Sequence, residues 1–173
     1  MVNTAFVFPG QGSQSVGMLA DFIPQYPLIT DLFKEVSDVV GYDLWHLVQN
    51  GPESQLNQTE YTQVAMLTAD VAIYELLKTQ GLPQPLIMAG HSLGEYPALV
   101  CSGSLSLLDA ARLVKRRAEL MQEAVPLGLG AMAAIVGLTD DEVNSLCEKA
   151  STAEEQVTPA NYNAIGQVVV AGH

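Results

Sequence analysis

The sequence has 173 residues, of which 49% are hydrophobic and 15% are charged, and its formal net charge is -12. Such an acidic chain is a poor partner for nucleic acid, because phosphate binding needs a basic surface, and its apolar stretches are too short to cross a bilayer. We therefore expect a soluble globular protein that binds neither nucleic acid nor a membrane.

The N-terminal segment and the two cysteines indicate a cytoplasmic protein. The segment lacks the basic start, the extended apolar stretch and the small-residue cleavage site of a secretory signal. Cys101 and Cys147 belong to no CxxC motif and have no histidine-rich neighbourhood. They predict two reduced thiols rather than a disulfide or a zinc site, and no other metal site is indicated.

The chain begins with a predicted strand and a Gly-rich loop. Ala5 to Phe8 is a short apolar run that ends at Pro9-Gly10, which is typical of a buried parallel strand entering a turn. The loop GQGSQSVG has neither the lysine of a P-loop nor a GxGxxG pattern, so nucleotide binding is not predicted. Apolar residues at helical spacing then predict a helix from about Pro27 to Val40, which Gly41 ends.

The middle of the chain predicts a long helix, a second strand and another helix. Gly51 to Gln58 is polar and contains proline, so we expect a loop there, followed by a long helix from Glu60 to Gln80. Leu86 to Ala89 is a short apolar run that leads directly into GHSLGEY, a pattern of strand, tight turn and helix. Ser106 to Glu123 opens with Ser-x-x-Asp and carries apolar residues along one side, which predicts a third substantial helix.

A second subdomain of β-α-β-β order is predicted after the sequence changes character at Pro126 to Gly130. Its elements are a strand at Ala131 to Val136, a helix capped by Thr139 and Glu142 and running to about Ala150, and strands at Val157 to Tyr162 and Gln167 to Ala171. This places a larger α/β subdomain at residues 1–127 and a smaller one at residues 128–173.

A GxSxG pentapeptide, Gly90-His-Ser92-Leu-Gly94, lies between a predicted strand and a predicted helix. In this setting the pattern is typical of a nucleophile elbow, a sharp turn that exposes the serine hydroxyl beside the N–H groups of a helix N-terminus. Ser92 is therefore the candidate nucleophile. The alternative is a chance match of the pentapeptide in a glycine-containing turn.

The Gly-rich loop and the Ser92 turn both follow predicted strands. Because the carboxyl ends of parallel strands converge at one edge of a sheet, we expect the two segments to line one crevice. Gln11 would then be placed to donate a hydrogen bond to a substrate in that crevice.

Four of the seven cationic residues lie within one and a half turns of the third helix: Arg112, Lys115, Arg116 and Arg117. An acidic protein that gathers its positive charge in this way has a candidate anion site there. The alternative is an ordinary solvated helix face.

No residue of the chain is predicted to be the base for Ser92. Neighbouring side chains in a tight turn point apart, so His91 is expected to line the pocket in a structural role rather than to take the serine proton. His46 lies in an apolar stretch and is expected to be structural, and His173 is the last residue. Glu95 and Asp109 are each better explained as carboxylates in the first turn of a helix.

Several segments together carry a family resemblance: FVFPGQGSQ, TQVAMLTADVAIYELL, AGHSLGEY, the helix with Arg117, MQEAVP, GAMAAIVGL and NYNAIGQVVVAGH. In this order they resemble the malonyl-CoA:acyl carrier protein transacylases of type II fatty acid synthesis, over essentially the whole chain. The resemblance implies an α/β fold with an α/β-hydrolase-like larger subdomain, built on a parallel sheet, and a smaller ferredoxin-like subdomain that is incomplete here.

The resemblance also implies an activity and a set of roles. A malonyl group would pass from coenzyme A to Ser92 and then to the phosphopantetheine thiol of acyl carrier protein, in a ping-pong reaction. The backbone N–H groups of Gln11 and Leu93 would form the oxyanion hole. Arg117 would pair with the malonyl carboxylate and select for it, and Gln63 would line the pocket. No cofactor is implied beyond malonyl-CoA as substrate, and a monomer is expected.

Family members continue past the equivalent of His173 to a catalytic histidine, so the sequence is expected to be C-terminally incomplete. Three readings therefore remain open. The first is a malonyltransferase of which this is a part, and the second is a non-catalytic remnant that binds acyl carrier protein or coenzyme A. The third is a GxSxG serine hydrolase, which Arg117 and the set of motifs count against.

Overall fold

The computed structural model describes residues 4–125 and 128–173. The chain divides into two compact units, Met1–Met121 and Gln122–His173. The subdomain boundary predicted between residues 127 and 128, next to Pro126, involves residues that lie outside the described ranges.

The first unit contains helices and a pair of strands. Within the described residues they are, in chain order, β1 (Ala5–Phe8), α1 (Leu28–Val40), α2 (Leu44–Asn50), α3 (Glu53–Leu56), α4 (Thr59–Thr79), β2 (Ile87–Gly90), α5 (Glu95–Cys101) and α6 (Leu107–Ala124), of which residues 107–121 belong to this unit. Short 3-10 turns lie at Ala20–Phe22 and Ser92–Gly94. The two strands and the three substantial helices predicted for this part of the chain are confirmed, and their ends agree with the prediction to within one residue.

The two strands of the first unit are parallel neighbours. Ala5 pairs with Ile87 and Phe8 pairs with Gly90, so the carboxyl ends of β1 and β2 lie side by side. The segments that follow the two strands, the Gly-rich loop and the Ser92 turn, therefore start at the same edge of the sheet.

Helix α4 is the central element of the hydrophobic core. Every residue from 62 to 72 is buried, so this part of the helix is enclosed on all sides. Helix α1 packs against it and buries Ile29 and Phe33 completely. A helix that is buried on all sides can carry polar side chains only where they are held by hydrogen bonds or serve a site.

The prediction of a loop from Gly51 to Gln58 is wrong in part, because α3 forms there, and α2 was not predicted. Asp43 caps α2 by accepting a hydrogen bond from the backbone N–H of His46. Leu56 of α3 is fully buried in the core. Tertiary burial therefore stabilises a short polar segment that has little helical tendency of its own.

The second unit is an antiparallel sheet with one helix. Its elements are β3 (Ala131–Val136), α7 (Asp140–Ala150), β4 (Val157–Ala164) and β5 (Gln167–Gly172), and the strand order is β3-β5-β4. Strand β4 runs two residues past its predicted end because Ala164 still pairs with Gln167. The predicted fold class, α/β with a larger subdomain built on a parallel sheet and a smaller second subdomain, is confirmed, and the second unit has the predicted β-α-β-β order.

Helix α7 begins at the predicted capping box. The Thr139 hydroxyl accepts from the Glu142 backbone N–H, and the Glu142 carboxylate accepts from the Thr139 N–H. Val143 and Cys147 of this helix pack on Val168 of β5 to form the core of the unit.

Both cysteines of the chain are free thiols. None of the described helices has the length and apolar character that a bilayer crossing requires.

Asp70 is an unusual member of the α4 core, because it is an acidic residue among the mostly apolar side chains, including Phe8, Ile73 and Tyr74, that line one groove. Its side chain is almost completely buried, and its Oδ2 atom has no hydrogen-bond partner within the described residues. Burial disfavours the charged form and raises the pKa of Asp70 to about 7.

We expect Asp70 to make the stability of the chain decrease as the pH rises. Unfolded Asp70 ionises near its ordinary pKa of 3.8, whereas the folded group keeps its proton until about pH 7. The free energy of unfolding should therefore fall, by up to about 4 kcal/mol, as the pH rises through this window. The Asp70→Asn variant should not show this decrease. Urea unfolding of the unsubstituted protein and of the variant, from acid to neutral pH, measures the two free energies of unfolding. Equal pH dependence in the two chains would contradict the expectation.

Candidate active site

The Ser92 turn connects β2 to α5 in a strained backbone conformation. Ser92 has a φ of 54°, in the left-handed region that a side chain rarely occupies, which costs about 1–3 kcal/mol. The turn is closed by a hydrogen bond of 2.9 Å from the Gly94 N–H to the His91 carbonyl. The Ser92 side chain is exposed, as the elbow motif predicts.

The two glycines of the pentapeptide are required by close backbone contacts. A Cβ atom at Gly90 would collide with the backbone of Gly94, and a Cβ atom at Gly94 would collide with the Phe8 carbonyl oxygen. Both positions therefore exclude every larger residue at this turn. A chance match to the pentapeptide would not need glycine at both places, so the geometry favours a nucleophile elbow.

The Gly-rich loop lies next to this turn, as the parallel strands predict. A Cβ atom at Gly10 would lie 3.6 Å from the His91 carbonyl oxygen, which shows that the two segments are in near contact. The Gln11 side chain donates to the Thr59 hydroxyl at 3.0 Å and so ties the loop to the start of α4. Within the described residues, the backbone N–H groups of Gln11 and Leu93 donate to no backbone carbonyl.

Arg117 connects Ser92 to the core of the protein. One of its guanidinium nitrogens, Nη2, donates to Ser92 Oγ at 2.8 Å, and the other, Nη1, donates to Gln63 Oε1 at 2.6 Å. Gln63 is fully buried on α4, and its Nε2 atom lies 3.4 Å from the Met121 sulfur. The guanidinium therefore bridges a buried amide and an exposed hydroxyl on two other helical segments.

The remaining cations of the α6 cluster are engaged elsewhere. Arg112 pairs with Asp109 at 2.8 Å and Arg116 pairs with Glu119 at 3.1 Å, both on the exposed face of the same helix. Lys115 donates to the Val40 carbonyl at 2.7 Å. Across residues 4–125 and 128–173, Arg117 takes part in no ion pair. The cluster is thus a solvated helix face for Arg112 and Arg116, Lys115 is bonded to the backbone of α1, and Arg117 is the candidate anion-binding group.

Within the described residues, several other candidate residues form no side-chain hydrogen bond with Ser92 or Arg117. His91 is exposed, and in the described part of the chain no hydrogen bond joins Ser92 to a histidine or a carboxylate. His46 accepts a hydrogen bond from the Asn50 amide at 3.2 Å on α2. Hydrogen bonds from Ser106 and Arg112 hold the pKa of Asp109 below its usual range, which fits a helix-capping role. The described residues include no group of three potential metal ligands.

Two neighbours of Arg117 were not found from the sequence. The ring centroid of Tyr96 lies 5.9 Å from the guanidinium carbon, and Met121 contacts Gln63. Both lie four residues from a predicted site residue, Tyr96 after Ser92 and Met121 after Arg117. For Met121 that spacing places two residues on the same face of α6, and it is the signal that could have identified it. Ser92 lies in the turn before α5, so helical spacing could not have identified Tyr96.

The strand, the strained turn and the helix around Ser92, at the edge of a parallel pair of strands, have the geometry of the elbow that carries the nucleophile in α/β-hydrolase-like proteins. The chain belongs to the acyl transferase domain family, which matches residues 5–173. The resemblance inferred from the sequence is thereby confirmed.

Individual relatives are similar over the whole chain. It is 56% identical to the malonyl CoA-acyl carrier protein transacylase of Escherichia coli K12, with 100% of this chain and 56% of that protein covered. A solved structure of the transacylase from Coxiella burnetii has a TM-score of 0.93 at 53% identity and covers 99% of this chain and 54% of that one.

A third relative is a malonyl-transacylase solved in complex with a type II polyketide synthase acyl carrier protein. It has a TM-score of 0.92 at 51% identity, and the match covers 99% of this chain and 55% of the solved one. The chain thus spans about half the length of the curated relatives it matches.

Proposed function

We propose that the protein transfers a malonyl group from malonyl-CoA to the phosphopantetheine thiol of acyl carrier protein, through an ester on Ser92. One observation carries this proposal: a guanidinium that takes part in no ion pair within the described residues lies 2.8 Å from an exposed serine hydroxyl. A malonyl group has one methylene between its thioester carbonyl and its carboxylate. When its carbonyl carbon is at Ser92 Oγ, the carboxylate is within reach of Arg117.

In the proposed first step, Ser92 Oγ attacks the thioester carbonyl of malonyl-CoA. An ester bond forms, the carbon–sulfur bond breaks, the serine proton passes to a general base, and coenzyme A leaves as a thiol after taking up a proton. In the second step, the carrier-protein thiol attacks the ester. Ser92 then regains its proton, and the malonyl thioester of the carrier protein is released. In the family that the chain resembles the base is a histidine, and we propose the same residue type for this step.

The negative charge that develops on the carbonyl oxygen needs donors that are already in place. The backbone N–H groups of Gln11 and Leu93 suit this role, because within the described residues they donate to no backbone carbonyl and lie on the two adjoining segments at the sheet edge. The Gln11 side chain, which is bonded to Thr59, would hold the loop in position rather than contact the substrate.

Arg117 would select the acyl group. Its planar guanidinium can hold a carboxylate by two parallel hydrogen bonds. The buried Gln63 side chain accepts a hydrogen bond from Nη1 and so holds the guanidinium in position. The hydrogen bond to Ser92 would be exchanged for one to the substrate carboxylate. An acetyl group has no carboxylate to make that exchange, so it would bind less well.

The proposed partners follow from the relatives. Malonyl-CoA and acyl carrier protein are the two compounds in the relatives' names, and one relative is solved with a carrier protein. Both carry the acyl group as a thioester, so a single serine site can serve them in turn. We further expect the enzyme to act as a monomer in the cytoplasm, within fatty acid synthesis, and to need no metal or other cofactor.

The proposal is tested by isotope exchange in the natural protein that carries this sequence. Labelled coenzyme A should exchange into malonyl-CoA in the absence of acyl carrier protein, because the ester intermediate forms and reverses without the second substrate. A serine hydrolase would instead release free malonate, and a non-catalytic remnant would do neither. Exchange that appears only after carrier protein is added would rule out the ping-pong mechanism.

A further inference from the structure

Tyr96 is positioned to act on the Arg117 guanidinium. It lies on α5, one turn after Ser92, and its ring centroid is 5.9 Å from the guanidinium carbon. The ring is half-buried and packs against the core cluster of the first unit. Within residues 4–125 and 128–173 its hydroxyl forms no hydrogen bond, so the contact with Arg117 is made by the aromatic ring itself.

An aromatic ring beside a guanidinium does two things. The negative charge on the ring face attracts the cation, and the flat ring limits the orientations that the guanidinium can adopt. Arg117 is otherwise held by two hydrogen bonds, one to buried Gln63 and one to Ser92. The bond to Ser92 is the one that a substrate carboxylate would replace, so during binding the guanidinium depends on Gln63 and the Tyr96 ring.

We propose that Tyr96 is a positioning residue for acyl-group selection, acting through Arg117. The inference rests on the proposed function, because it assumes that Arg117 binds the malonyl carboxylate. The Tyr96 ring keeps the Arg117 guanidinium in place while the hydrogen bond to Ser92 is exchanged for one to the carboxylate. The role is therefore specific to acyl groups that carry a carboxylate.

The test compares variants at position 96 in the natural protein that carries this sequence. Tyr96→Phe keeps the ring and removes only the hydroxyl, whereas Tyr96→Leu keeps an apolar side chain and removes the ring. Each variant is assayed with malonyl-CoA and with acetyl-CoA, and its thermal unfolding is measured. The ratio of the two kcat/KM values is independent of the fraction of folded enzyme, so partial unfolding does not affect it.

We expect Tyr96→Leu to lower kcat/KM for malonyl-CoA about 3- to 30-fold, mainly through KM, and to change the value for acetyl-CoA by less than about twofold. Tyr96→Phe should behave like the wild type. A ring-fluorinated phenylalanine at position 96 provides a second test, because it keeps the shape of Phe and removes the negative ring face. It should reproduce the Leu result even if Tyr96→Leu does not fold.

Two results would overturn the inference: equal losses with malonyl-CoA and acetyl-CoA, or equal kinetics for the fluorinated and the ordinary Phe variants. Either would make Tyr96 a core residue without a role in selection. Failure of the proposed function gives a different result, because the wild type itself would then form no malonyl ester on Ser92.

Discussion

Replacement of Ser92 by alanine is expected to reduce malonyl transfer at least about 1,000-fold, because no ester intermediate can form without the hydroxyl. The elbow itself should persist, since its tight contacts involve Gly90, Gly94 and Phe8 rather than the serine side chain. Alanine also relieves none of the left-handed backbone strain, so stability should change little. Transfer of radiolabelled malonyl groups to holo acyl carrier protein measures the loss.

Ser104→Ala is the matched control for this prediction. Ser104 is an exposed serine in the same unit, where its hydroxyl contacts that of Ser102 at 3.1 Å rather than any candidate site residue. Its loss should leave the rate unchanged. Undiminished transfer by Ser92→Ala would show that another residue is the nucleophile.

Replacement of Arg117 by alanine is expected to impair malonyl transfer far more than acetyl transfer. Loss of a charge-assisted bidentate pair in a partly desolvated site costs about 2 to 5 kcal/mol, which is roughly 30- to 4,000-fold in kcat/KM. Acetyl-CoA presents no carboxylate, so its kcat/KM should fall much less. Steady-state kinetics with both thioesters provide the comparison.

Two further variants show whether the loss of malonyl transfer in Arg117→Ala comes from losing a positive charge or from losing the guanidinium group. Arg112→Ala removes a cation from the same helix that is already paired with Asp109 at the surface, and it should have little effect on either thioester. Arg117→Lys keeps the positive charge but cannot form two parallel hydrogen bonds to a carboxylate. It should therefore recover only part of the preference for malonyl-CoA over acetyl-CoA. If Arg117→Ala reduces both activities equally, the arginine supports the fold through Gln63 instead of binding substrate.

The site elements that follow from local sequence were predictable. The Ser92 elbow is defined by five consecutive residues and the elements on either side of them. The close approach of the Gly-rich loop follows from the rule that parallel strands converge at their carboxyl ends. These features depend on turn chemistry and strand pairing, which short segments largely determine.

The features that depend on distant contacts could not be derived from local patterns, and Arg117 and Gln63 were singled out only through the family resemblance. The sequence offered four cations on one helix, and Arg117 is distinguished from the others by Gln63, which lies 54 residues away in the chain. Likewise, α3 forms because Leu56 reaches the core, and Asp70 has a raised pKa because α4 is enclosed where Asp70 lies. Each of these features depends on which side chains are buried in the tertiary structure. Helical periodicity in the sequence does not predict that burial.

The most direct test of the central claim is peptide-mapping mass spectrometry of the natural protein, mixed with malonyl-CoA and quenched in acid. The account predicts a malonyl ester on the peptide that contains Ser92, absent from Ser92→Ala and lost when holo acyl carrier protein is added before the quench. A malonyl ester on a different residue, or transfer to the carrier protein with no ester at any time, would contradict it.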